Sequence, residues 1–278
     1  MKRLAVKHLA YLIAAGVACA APGLAEAVPF LPDFAAATFA PGAAVDHPYL
    51  PLVPGTFREY RNDNEGERFI HTVLSGRETI LGVDAVILRD DAFEDDLLVE
   101  RTFDYFAQDT AGNVWYLGED VTNFIYDADG NLISTNSSST WRAGVNGAVP
   151  GFIMPADLTI GFNYYQEFAP ADLALDNGTS FAILAQLDLA IGTFFDVLQV
   201  FETTELDPDA REFKYYAPGI GLVLVDEALD ENFEPAFSIP LVRQGTIPEP
   251  VLVGPLMIGM GLTLFLRRRR EAWRAASV

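Results

Sequence analysis

Leu97–Leu117, LLVERTFDYFAQDTAGNVWYL, decides the fold. Its first half, Leu97–Phe106, is rich in β-branched and aromatic residues, which suit a pleated, half-buried surface. Asp109-Thr110-Ala111-Gly112-Asn113 then breaks it. Asp and Asn bond the local backbone there, and Gly takes positive φ at no steric cost. Asn113–Leu117 resumes strand composition, so the stretch predicts two antiparallel strands joined by a tight turn. The same turn chemistry recurs at Asp127-Ala128-Asp129-Gly130-Asn131, between Asn123–Tyr126 and Leu132–Trp141.

Working outward, short runs of strand composition fill the chain from Thr56 to about Arg243. They are Arg68–Leu74, Asp84–Leu88, Tyr164–Phe168, Phe181–Leu189, Phe194–Thr204, Glu212–Tyr216 and Leu222–Asp226. Their spacing is close to that of a meander, and no stretch has the 3.6-residue apolar period of a long amphipathic helix. The expectation is one all-β domain over residues 55–245, built on a single large antiparallel sheet. Trp115, Tyr116, Tyr215 and Tyr216 alternate faces along strands. Pro150-Gly151 and Pro218-Gly219 are expected to form turns.

Three blocks carry a resemblance: Tyr105–Asp120 (YFAQDTAGNVWYLGED), Trp141–Ala156 (WRAGVNGAVPGFIMPA) and Lys214–Val223 (KYYAPGIGLV). They resemble a family of exported bacterial proteins of unknown function, over roughly Leu52 to Arg243. The resemblance implies a large antiparallel sheet curved into a half-barrel, and it implies no reaction.

The ends give the route. Residues 1–27 have the build of a secretory signal helix: Lys2, Arg3 and Lys7, an apolar core Leu9–Ala18, and Ala25-Glu26-Ala27 before a mature start at Val28. Cys19 is the only cysteine, so cleavage after Ala27 leaves no disulfide and no thiolate metal site. Residues 28–54 form a Pro/Ala-rich arm whose apolar residues are expected to pack along the domain. Residues 246–278 close the chain. Pro248, Glu249 and Pro250 precede an apolar run at 251–266, and Arg267, Arg268, Arg269 and Arg270 stop it. Sixteen helical residues span about 24 Å. That is short against a hydrocarbon core of about 30 Å, but four adjacent arginines act as a cytoplasmic stop. The expectation is a C-terminal transmembrane helix. This tail resembles the PEP-CTERM sorting signal, which implies an exosortase-like membrane protease as partner and a link with exopolysaccharide and biofilm. The expected location is outside the inner membrane: transiently anchored there, then at the cell surface or extracellular.

Between the two ends the chain is strongly acidic. Residues 28–250 carry 10 Lys+Arg and 37 Asp+Glu, a net charge of −27. Such a domain repels nucleic acid, whose binding depends on neutralised phosphates. Catalytic signatures are missing from the sequence: no GxSxG and no HExxH. His71 reads as a surface or satisfied histidine. Asp90–Asp96 (DDAFEDD) reads as a solvated hairpin loop, ahead of a calcium site. Asp127, Asp129 and Asn131 imitate an EF-hand start, but Leu132 and Ser138 stand where Gly and Glu are needed. No cofactor, metal or catalytic residue is expected.

The first functional expectation is therefore a non-catalytic exported surface or matrix protein, tethered and then processed. The alternative is an envelope enzyme or carrier using the concave face of the sheet for a glycan or lipid, with Trp115, Trp141, Tyr164 and Tyr165 as candidate aromatic surfaces. An enclosed pocket of converging carboxylates would favour the enzyme, a continuous apolar groove the carrier, and a filled sheet face the surface protein.

Overall fold

The computed structural model describes residues 28–247. Residues 1–27, read above as a secretory signal, and Pro248–Pro250, the 251–266 run and Arg267–Arg270 lie outside the described residues.

Two meanders make the molecule. After a small pair, β1 (Val45–His47) and β2 (Leu50–Leu52), five strands follow. They are β3 (Thr56–Asn62), β4 (Glu67–Ile80), β5 (Val83–Glu94), β6 (Leu97–Gln108) and β7 (Val114–Tyr126), each antiparallel to the next. The far edge of β7 is taken by β8 (Leu132–Asn136), β9 (Trp141–Arg142) and β10 (Val149–Met154). Two short strands come next, β11 (Asn163–Tyr165) and β12 (Glu167–Phe168). The second meander is β13 (Asp176–Leu189), β14 (Gly192–Thr204), β15 (Arg211–Ala217), β16 (Gly221–Glu227) and β17 (Phe237–Thr246).

Two seams join the meanders. On one side β17 pairs with β3, setting Leu241 opposite Tyr60. On the other, the single stretch Asn163–Phe168 serves both sheets. Its first half pairs with β13 and its second half with β10, and Gln166 N–H donates to Asp176 O at 2.8 Å. Phe30, from the N-terminal segment, adds to the edge of β11, accepting from Tyr165 N–H and donating to Asn163 O, each at 3.0 Å. The sheet therefore curls past a half-barrel and nearly closes. Register shifts in β4–β5, β5–β6, β6–β7, β13–β14, β15–β16 and β17–β3 supply the curvature, since each irregularity sharpens the local right-handed twist.

Closure gives every barrel strand an inner and an outer face. Trp115 points outward and is 2% exposed, because residues 28–44 cover it. Phe34 and Phe39 pack on its ring at 5.3 and 6.2 Å, and Phe152 of the paired strand at 4.6 Å. Tyr116, one residue on, faces inward against Phe106.

Three sequence expectations change. Pro150-Gly151 is not a turn but part of β10. A side chain at Gly151 would run into the backbone of Tyr165 and Gln166, so the glycine permits the close approach at the closing seam. Asp90–Asp96 is not a loop: β5 continues to Glu94, and the turn is Asp95-Asp96, both at positive φ. Asp90 faces inward, while Asp91 is clamped on the outer face between Arg89 (2.9 Å) and Arg101 (2.5 Å). Asn113–Leu117 and Asn123–Tyr126 belong to one strand, because Gly118 at φ 132° lets the Trp141 backbone pass where a Cβ would clash.

The two look-alike turns are not equivalent in energy. Asp109 accepts from Ala111 N and Asn113 N (2.9 Å each), from Asn113 Nδ2 (2.8 Å), and from the buried indole Nε1 of Trp115 (2.8 Å). Asp127 makes the corresponding local bonds in an exposed turn, with no tryptophan. Asp109→Ala, which orphans a buried indole donor, should destabilise the barrel by about 2–4 kcal/mol, and Asp127→Ala by about 1 kcal/mol or less. Urea unfolding of the two variants checks this.

Candidate functional site

The barrel lumen holds a half-open cavity of about 400 Å³, within the usual range of ligand pockets of roughly 300–1,000 Å³. Its wall is unusual for an interior. On β14 and β15, Phe201 and Phe213 are outside and the charges inside. Phe201 and Phe213 pack with Phe181 and Phe233 on the outer surface. Glu202, Glu212 and Lys214 point into the lumen. Strand alternation makes this unavoidable once the Phe cluster is covered by the β16–β17 loop.

Lys214 holds this wall. Its Nζ donates to Glu202 Oε2 at 2.6 Å and to Glu212 Oε1 at 2.9 Å. The other Glu202 oxygen accepts from Gln166 Nε2 at 2.8 Å, so the closing segment is tied to the same group. Glu227 on β16 and Asp176 on β13 flank the pair, and Glu167 of β12 completes the arc. Across the lumen, the Tyr116 hydroxyl lies 2.5 Å from Asp104 Oδ1 and 3.0 Å from Glu119 Oε2. A phenol has one proton to donate. One of those two carboxyls must therefore carry its own proton and donate to the phenol oxygen.

The whole lumen follows that logic. Carboxyls crowded around one ammonium cannot all ionise away from bulk water. Burial, then Asp90 and Glu100, pushes Asp104 up to about 7, although the Tyr116 hydrogen bond pulls the other way. Burial pushes Glu202 up to about 7 against the pull of Lys214. Glu227 rises to about 8 through burial and then the charge of Glu212. Burial and neighbouring carboxylates hold Glu119 and Glu167 well above the ordinary range, and burial raises Asp176. Glu212 is the exception. Burial opposes its ionised form, yet the adjacent Lys214 lowers it. Burial likewise opposes the charge on Lys214, but Glu202 and Glu212 keep it firmly protonated. Near neutral pH the lumen thus presents protonated and ionised carboxyls together, donors beside acceptors.

The remaining arc is the β3–β5 wall. Arg58, His71 and Asp90 stand in direct cross-strand register, with Tyr60 and Phe69 stacked beside them at 4.3 Å. His71 is therefore a lumen residue, with Nε2 3.2 Å from Asp90 Oδ2. Trp115, Trp141, Tyr164 and Tyr165 are all buried. Among the described residues no group of three or more His, Cys, Asp or Glu is placed to hold a metal ion. No helix among them is long and apolar enough to cross a membrane.

Sequence reasoning passed over the lumenal carboxyls and Lys214. Two signals were present. Lys214 is the only lysine beyond Lys7. Glu202 and Lys214 each follow a phenylalanine, which places a charge on the face opposite Phe201 and Phe213.

No family model matches the chain, and no curated protein matches it. Among solved structures it is similar to a "putative exported protein with YmcC-like fold" from Bacteroides fragilis. The two are 13% identical over 71% of this chain and 99% of that one, with a TM-score of 0.34. A likeness that loose carries no argument about fold, export or ligand.

The raised carboxyls have a defined effect on stability. A carboxyl whose pKa is higher folded than unfolded binds more protons in the native state. Its contribution is fully present below about pH 4 and is lost as pH rises through its folded value. For Asp104, Glu202 and Glu227 that window ends at about 7, 7 and 8. The melting temperature should fall from pH 5 to pH 8, and the double variant Asp104→Asn/Glu227→Gln should flatten the fall. Calorimetry across that range checks it; equal slopes would contradict the assignment.

Proposed function

We propose that this chain is an exported envelope protein whose barrel lumen binds a small polar ligand. One observation carries the binding part: a half-open cavity of about 400 Å³ whose polar wall mixes Lys214, protonated carboxyls and ionised ones. A filled sheet face, as in a purely structural matrix protein, would have been packed with apolar side chains. A lipid carrier would need a continuous apolar groove, and this wall is charged. Converging carboxylates are also what an enzyme would use. Asp104 and Glu119 across the Tyr116 hydroxyl would then be its acid and base, and this is the second reading.

Export is supported by the sequence alone: the 1–27 signal, the acidic body, and the tail with Pro248-Glu249-Pro250 and Arg267–Arg270. In this proposal the tail anchors the chain until an exosortase-like protease cuts it, and the freed barrel reaches the surface or the exopolysaccharide matrix.

Thermal denaturation of the purified full chain with neutral sugars, amines and carboxylates tests the lumen. A ligand at about 100 times its Kd adds ~2.7 kcal/mol. At about 2–4 °C per kcal/mol for a domain of this size, the melting temperature should rise by roughly 5–10 °C. No rise with any class refutes the binding reading; a rise accompanied by product formation supports the enzyme. The tail has its own test, intact mass of the released protein from an exosortase-containing host. The native chain should lose residues 251–278, and replacing Pro248, Glu249 and Pro250 by alanine should leave it tethered at full mass.

A further inference from the structure

The β3–β5 wall holds two buried polar atoms that the protein itself does not satisfy. Arg58, His71 and Asp90 are neighbours on adjacent strands, and all three line the cavity. Arg58 is only 9% exposed. Its Nη2 donates to Pro51 O at 3.1 Å, but its Nε is a buried donor without an acceptor. Asp90 gives Oδ2 to His71 Nε2, but its Oδ1 is a buried acceptor without a donor. An unmet hydrogen bond on a charged, buried group is expensive, and the two residues line the same cavity on either side of His71. Solvent, or a ligand, reaches this wall: the His71 and Asp90 side chains keep 16% and 32% of their exposure.

The ligand must meet a donor and an acceptor together. An anion would suit Arg58 but would sit beside Asp90, Glu100 and Asp104, which already repel one another. A simple ammonium would suit Asp90 and leave Arg58 Nε unmet. A hydroxyl group both accepts and donates, and brings no charge. Phe69, stacked on Tyr60 and lining the cavity, adds an apolar surface next to the polar pair, as suits a ring with hydroxyls on its rim and C–H groups on its faces.

We propose that this wall is a subsite for a neutral sugar residue, whose neighbouring hydroxyls accept from Arg58 Nε and donate to Asp90 Oδ1 while its ring packs against Phe69. The assignment rests on the lumen being a ligand site and names the class of ligand. His71 fixes the Asp90 carboxylate through Oδ2 and leaves Oδ1 for the sugar.

The test is saturation-transfer NMR and calorimetric titration of the purified full chain. The probes are the methyl glycosides of glucose, galactose and mannose, alongside acetate, spermidine and glycine. At least one glycoside should bind, with saturation transferred to its ring protons. Arg58→Met, which removes the Nε donor, and Asp90→Asn, which keeps side-chain size and removes the charge, should each weaken that glycoside about tenfold or more. Neither should lower the melting temperature much, because each removes a charged group that leaves one of its polar atoms unsatisfied in the fold. Should a variant fail to fold, Phe69→Leu replaces it, with the same loss expected. A glycoside that binds wild type and variants equally overturns the subsite. Binding of spermidine, glycine or acetate with no glycoside bound also overturns it, while leaving the lumen a ligand site. No binding by any probe overturns both.

Discussion

A single ammonium sets the electrical balance of this barrel. Lys214 lies inside it, bonded to Glu202 on β14 and Glu212 on its own strand, and through Glu202 it reaches Gln166 at the closing seam. Without that charge the lumen would hold only carboxyls on this wall, and closing the sheet would press like charges together. With it, Glu212 can stay ionised while its neighbours take up protons. The same arrangement makes the lumen chemically useful. Groups that hold protons near neutrality both donate and accept hydrogen bonds, so they can meet a polar ligand from either side.

The barrel tolerates a polar interior because its apolar burial is elsewhere. Phe201 of β14 and Phe213 of β15 are shielded outside, by Phe233 of the β16–β17 loop. The outer face at Trp115 is shielded by Phe34 and Phe39 of the N-terminal segment. Hydrophobic stabilisation follows the area removed from water, whichever side of the sheet supplies it. A wall that is dry outside can therefore carry charge inside. The Pro/Ala-rich stretch after the signal is thus part of the folded unit: Phe30 completes a strand edge, and Val45 and Leu52 are buried.

Much of the all-β organisation was legible. Asp109–Asn113 and Asp127–Asn131 carry their turn chemistry in five residues each, and both appear as tight turns with Gly112 and Gly130 at positive φ. Pro218-Gly219 likewise joins β15 to β16. Local rules failed where a distant strand supplied the reason. Pro150-Gly151 has turn composition, yet the glycine is there for the backbone of Tyr165 and Gln166. Asp90–Asp96 has loop composition, yet Asp90 faces a polar lumen and Asp91 meets two arginines, so neither needs bulk water. His71 looks ordinary in sequence because Arg58 and Asp90 become its neighbours only through strand pairing.

By itself the sequence determined the strand-and-turn rhythm, the all-β class and the acidity of the body, because these depend on neighbours a few residues apart. Only the tertiary structure decided that the sheet nearly closes, and that Asp104, Glu167, Asp176, Glu202, Glu212 and Glu227 share one lumen with Lys214. Alternation along a strand shows which residues share a face, but not which face becomes the inside. That choice is made by the β17–β3 seam and by Asn163–Phe168. Both are pairings between segments far apart in the chain, and their register is fixed by packing rather than by any local signal.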